Sequence, residues 1–159
     1  MEKAITSGLL IIASVVAAVA LINAVIPALG KSSSALITAN AAASDRIKTD
    51  IEIIHATGNE SAKTVTVWVK NIGTTAINDI TASDIFLDTP SSLSRVSYTS
   101  GCDSGNADCW DYAFEGGATV WKHTETVKFT LTLSTLGTGV YSVRVSVFNG
   151  ESADKDFSI

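Results

Sequence analysis

The sequence predicts an α+β protein: a long N-terminal hydrophobic α-helix followed by an antiparallel β-sandwich. Three observations carry that prediction. Residues 4–30, AITSGLLIIASVVAAVALINAVIPALG, contain no charged side chain. Apolar residues then continue at helical spacing to about residue 47. From Ile51 onward the pattern changes to strict alternation broken by turn residues. The expected division is a helix over residues 1–50 and a sandwich over residues 51–159.

The uncharged run exceeds the roughly 20 residues that carry a helix across a bilayer. Its many Val and Ile are mediocre helix formers in water. They suit lipid, where the backbone must satisfy its own hydrogen bonds. A secretory signal would have a basic start and a shorter apolar core; here Met1, Glu2 and Lys3 precede a longer one. Beyond Lys31, Ala35, Leu36, Ala39, Ala42, Ala43 and Ile47 keep the helical period. One helix from near residue 2 to near residue 50, bent at Pro27, would be about 70 Å long, more than twice the hydrocarbon thickness. Its small residues allow close helix-to-helix approach, and its apolar circumference calls for apolar neighbours on every side. The helix residues expected to carry polymerisation are Ala13, Ala17, Val19, Ala20 and Leu21. A plain membrane anchor with an Ala-rich stalk is the simpler reading.

After residue 50, TVTVWVKN sets Val65, Val67 and Val69 against Thr64, Thr66, Trp68 and Lys70. TVKFTLTLS sets Val127, Phe129, Leu131 and Leu133 against Lys128, Thr130 and Thr132. GVYSVRVSVFNG places Val143, Val145 and Val147 on one face together with Val140 or Tyr141. Period-2 segments rich in Val, Thr, Tyr and Phe are half-buried strands. IEIIHAT, SDIFLD, SRVSYT, WDYAFEG and DKDFSI are the further candidates. Turn residues at Gly58-Asn59, Asn71-Ile72-Gly73, Thr89-Pro90, Gly101, Gly116-Gly117, Gly137 and Asn149-Gly150 separate them. Seven or eight short strands in this length make a sandwich.

The net charge of -5 and the lack of any basic run exclude nucleic acid as a partner. Cys102 and Cys109 are too far apart for a Cys-x-x-Cys motif and have no second ligand pair nearby. In an exported domain they are expected to form a local disulfide, the alternative being two reduced thiols in a surface loop. His55 and His123 have no ligand at metal spacing and read as strand-edge residues. DSGNAD, residues 103–108, offers oxygen ligands but lacks the ordered calcium-loop pattern. No catalytic set, phosphate loop or cofactor motif is present, so neither enzymatic activity nor a cofactor is expected. Asn59-Glu60-Ser61 is an N-glycosylation acceptor triplet in a turn-like stretch.

An apolar helix feeding a sandwich through VTVWVKNIGTTAINDITASDIFLD resembles the archaellins and related archaellum proteins. The strand followed by KNIG and then DIFLD carries the most specific likeness. Trp121, ETVKFTLTL and GVYSVRVSVFNG are similar to the family's later strands. The resemblance implies an immunoglobulin-like sandwich and a structural role on the cell surface. The implied role placed first is a filament subunit, type IV pilin-like, whose helix leaves the membrane to build a helical homopolymer for motility. Its sandwich would be an extracellular sheath, glycosylated at Asn59. Two alternatives stand beside it: an accessory stator protein that keeps its helix in the membrane while the sandwich binds the S-layer or a partner, and an adhesive module. Family precursors also carry a short basic leader ahead of the apolar run.

Overall fold

The computed structural model describes residues 2–103, 105 and 108–159. Two compact units are present: one ends at Ala43, and the other runs from Ser44 to Ile159. The helix α1, Glu2–Lys48, continues through Pro27 without a break in assignment. Thr49 ends it. The Thr49 N–H and Oγ1 both donate to the Asp45 carbonyl, at 3.1 and 2.9 Å, which satisfies a C-terminal carbonyl that has no helical partner.

Among the described residues eight strands follow: β1 Ile51–Asn59, β2 Thr64–Asn71, β3 Asp84–Asp88, β4 Leu93–Tyr98, β5 Cys109–Phe114, β6 Thr126–Thr132, β7 Val140–Ser146 and β8 Ser152–Ser158. Their order is β1-β2-β6-β5-β4-β3-β7-β8. All neighbours are antiparallel except β4 and β5, which run parallel and meet only at Ser97↔Cys109 and Tyr98↔Trp110. That short parallel seam departs from the purely antiparallel expectation. It divides the strands into two sheets, β1-β2-β6-β5 and β4-β3-β7-β8, whose inner faces enclose the core. β8 returns beside β1: a Cβ on Gly58 would strike the side chain of Ile159 and touch that of Phe157.

The alternation seen in the sequence becomes burial. Val65, Val67, Val69, Val127, Phe129 and Leu131 have no exposed surface. On β7 the inward set is Tyr141, Val143, Val145 and then Val147, leaving Val140 70% exposed. One irregularity occurs in β1, where the register shifts between Ile53 and His55. This bulge puts Ile54 and His55 together on the outer face, because an extra residue breaks the period of two.

Trp110 and Trp121, both fully buried, close on Phe129 from two sides. The centroids are 5.4 and 5.8 Å away, and both contacts are edge-on, at 66° and 62°. Edge-to-face aromatic contacts add to area burial. Phe129→Ala is therefore expected to destabilise the sandwich by about 3–5 kcal/mol, measured by urea denaturation of the detergent-solubilised chain followed by Trp fluorescence. A loss below about 1 kcal/mol would mean that the core collapses around the gap rather than being held open by it.

Candidate functional site

The helix is the first candidate. Ala13, Ala17, Val19, Ala20 and Leu21 all lie exposed on α1, with Val19 52% and Leu21 65% exposed. At 3.6 residues per turn, Ala13, Ala17, Ala20 and Leu21 share one face, and Val19 lies on the opposite one. Leu9, Leu10, Ile11, Ile12, Val15 and Val16 are equally uncovered. Apolar surface around a whole circumference is stable only in lipid or among other helices. The helix is long and apolar enough to cross a membrane.

The second candidate is the anchor that holds the end of this helix within the sandwich unit. Alternation along β2 carries on past Val65, Val67 and Val69 to Asn71, which therefore points inward and has no exposed surface. A buried amide must be satisfied. Asn71 Nδ2 donates to the Thr75 and Trp121 carbonyls at 2.9 and 3.0 Å, and Oδ1 accepts the Gly73 N–H at 3.0 Å. Its own N–H and C=O bond to Glu125 and Thr124. The turn so fixed faces the helix end. Thr74 and Thr75 N–H donate to the Lys48 carbonyl, while Ile72 and Gly73 N–H donate to the Asp50 carbonyl. Gly73 is required by this approach, since a Cβ there would collide with the backbone of Lys48 and Asp50. His123 Nδ1 lies 2.8 Å from the Gly73 carbonyl.

The KNIG turn is thus a clamp on the chain leaving the helix. The sequence marks it as a turn, but the role of Asn71 went unrecognised. Its one available sign is a polar residue falling on the inward phase of an alternating strand. Sequence reading likewise missed His123 as a contact of this turn, and nothing in its spacing reveals it.

The other sequence-derived positions are scattered. Cys102 and Cys109 are joined in a disulfide with Cα atoms 5.9 Å apart. Cys109 opens β5 beside the parallel seam. Beyond it, Gly101 N–H donates to Asp111 Oδ2 at 2.7 Å, and the Asp108 carboxylate accepts both the N–H and hydroxyl of Ser134. Within the DSGNAD stretch, Ser104, Asn106 and Ala107 lie outside the described residues. Asn59 is exposed where β1 ends, its Oδ1 accepting the Ala62 N–H. His55 packs its ring against Trp68, whose Nε1 donates to Glu115 at 3.2 Å. Burial, with Tyr98 and Asp111 close by, pushes the Tyr112 phenol above its usual value. Among the described residues no three His, Cys, Asp or Glu side chains cluster closely enough to hold a metal ion.

The sequence matches the archaeal-type flagellin family model over residues 4–157. The chain belongs to this family. It is therefore an archaellum-related protein, and its apolar helix suits membrane anchoring at the cell surface. It is 29% identical over 170 residues to an uncharacterized protein of Archaeoglobus fulgidus, an alignment covering 99% of this chain and 98% of that one. The fold is shared with solved archaellum proteins. The periplasmic stator protein FlaG of Sulfolobus acidocaldarius superposes with a TM-score of 0.57 at 23% identity, covering 69% of this chain and 99% of FlaG. Archaeal flagellin FlaB1 of Methanocaldococcus jannaschii gives 0.56 at 12% identity, covering 69% of this chain and 89% of FlaB1. FlaG has also been solved in complex with FlaF.

Removing the Asn71 side chain would strip the Thr75 carbonyl of its Asn71 bond, while the Trp121 carbonyl keeps the Ile77 N–H and the Gly73 N–H keeps the Asp50 carbonyl. At about 1–3 kcal/mol per unsatisfied buried group, Asn71→Ala is expected to be among the most destabilising polar truncations in the chain. Thermal unfolding of the full chain in detergent checks this. A variant melting within a degree of the parent would show that Asn71 is not the hub of the turn.

Proposed function

We propose that this protein is a membrane-held archaellum component whose helix stays in the bilayer while its sandwich works outside, as a stator-type partner of the filament machinery. The observation that carries this reading is the change of character at Lys31. The charge-free run stops at bilayer length, and Lys31, Ser32, Ser33 and Ser34 follow at once. Lys at the end of an apolar helix reaches to the membrane–water interface. The stator likeness adds support, because the match takes in nearly all of FlaG at about twice the identity found for the flagellin.

A second reading, the filament subunit placed first from sequence, has its own support. Between Ala4 and Ser44 the sole charge is Lys31. This charge-sparse length comes to about 60 Å of helix, which a bundle interior uses fully and a bilayer does not. In that reading the helices pack head-to-tail into an open helical array.

Fractionation separates the two. Cells are sheared to release filaments, and filament and membrane fractions are quantified by mass spectrometry. The membrane-held reading expects the protein in the membrane fraction and only trace amounts beside the main filament band. Finding it as that main band would overturn the reading in favour of the subunit.

We further infer that Asn59 carries a glycan, since the acceptor triplet sits exposed at the tip of the β1–β2 hairpin. Asn59→Gln should lower the intact mass of the native protein by that of one glycan. An unchanged mass, after allowing for the side-chain difference, would remove the assignment.

A further inference from the structure

Strand β4 is an edge over most of its length. Leu93–Val96 pair with β3 on one side, but β5 meets β4 only at Ser97 and Tyr98. The alternation of an antiparallel ladder decides which backbone groups remain. The Thr89 N–H donates to the Ser92 carbonyl at 2.9 Å, so these two residues form a hydrogen-bonded pair. Two steps along, Leu87 and Ser94 form the next, and Leu93 and Arg95 turn their N–H and C=O away from β3. The far end agrees: the Thr99 N–H, of the same parity as Leu93 and Arg95, reaches the Trp110 carbonyl on the β5 side at 3.0 Å. Among the described residues no backbone hydrogen bond meets the outward groups of Leu93 and Arg95.

Exposed edges are usually blunted by charge. Here the one charged side chain of β4 is held within its own sheet, Arg95 Nε donating to Asp84 Oδ1 at 2.7 Å. Leu93, next to it on the edge, is 67% exposed.

We propose that this edge pairs with the same edge of a second copy, antiparallel, about a two-fold axis passing through Ser94. The edge is self-complementary. Leu93 stands opposite Arg95 of the second copy and Arg95 opposite its Leu93, each giving one N–H and accepting at one C=O. Ser94 faces Ser94 of the second copy in an open pair, where Cα atoms approach to about 4.5 Å and a small side chain fits. The outer face gives charge complementarity as well. Register aligns Arg144, Phe86 and Arg95 in one row and Leu93, Asp88 and Ser142 in the next. The row of one copy therefore runs from Arg95 across Leu93 to Asp88 of the other, bringing a guanidinium that bonds Asp84 in its own sheet toward a second carboxylate. Leu93 and Asp88, with Phe86, Ser142 and Arg144, line a groove of about 300 Å³ that such an arginine would enter. So short an edge buries less than the roughly 1,200 Å² of a free-standing interface. Apolar helices that gather copies together provide the missing local concentration. The pairing holds for either archaellum role and does not rest on the choice between them.

The test is a cross-link. The full chain carrying Ser94→Cys is reconstituted in phosphatidylcholine liposomes, oxidised mildly and run on a non-reducing gel. A disulfide-linked dimer is expected, because facing residues at the axis lie within disulfide reach. Ser142→Cys, on the same sheet but away from the edge, should give none. Adding Leu93→Arg, an exposed position that leaves the core untouched, sets arginine against Arg95 of the second copy and should cut the dimer yield roughly five-fold. Cross-linking at Ser94 no greater than at Ser142, or unaffected by Leu93→Arg, would overturn the pairing.

Discussion

Everything in this protein depends on a helix that water cannot solvate. From Ala4 to Ser44 it offers one charge, at Lys31, and its large apolar side chains are uncovered on every face. Apolar surface on that scale forces a choice of environment. The chain must live in lipid, or among other helices, or in both at different times. The two functional readings are two answers to this one constraint, which is why composition alone did not separate them. The interruption at Lys31 does bear on the choice, since it divides the helix into a charge-free part of bilayer length and a part richer in Ser, Thr and Asn.

The sandwich meets that helix with a local device. Inward alternation on β2 ends in an amide instead of a valine, and the amide fixes a turn whose N–H groups take the carbonyls of Lys48 and Asp50. The residues that clamp the helix end thus follow directly on a core strand, whose last residue, Asn71, fixes them. Core packing and chain exit are coupled through Asn71, and Trp121 belongs to both: its ring packs on Phe129 while its carbonyl accepts from Asn71. Disturbing either should be felt by the other.

Much of this was legible in the sequence. The charge-free run and the period-2 segments translated directly into α1 and the eight strands, because each reports the solvent on the two sides of a local element. Partners across space were not legible in the same way. The alternation of SRVSYT and WDYAFEG says that both are strands, but nothing in it says that β4 and β5 lie parallel for two residues only. The bulge at Ile53–His55 escaped as well, since a one-residue shift is invisible until the facing strand is known. Asn71 was visible as part of a turn. Its importance lies in Thr75, Gly73 and Trp121, and the last of these is far away in the chain.

The most direct measurement is the length of helix hidden from water in living cells. Single cysteines placed along α1, from Ile12 to Ser44, would be challenged with a membrane-impermeant maleimide. The membrane-held account predicts protection up to about Gly30 and free labelling from Ser32 onward. Protection extending unbroken to Ser44 would contradict it and place the whole helix inside a polymer.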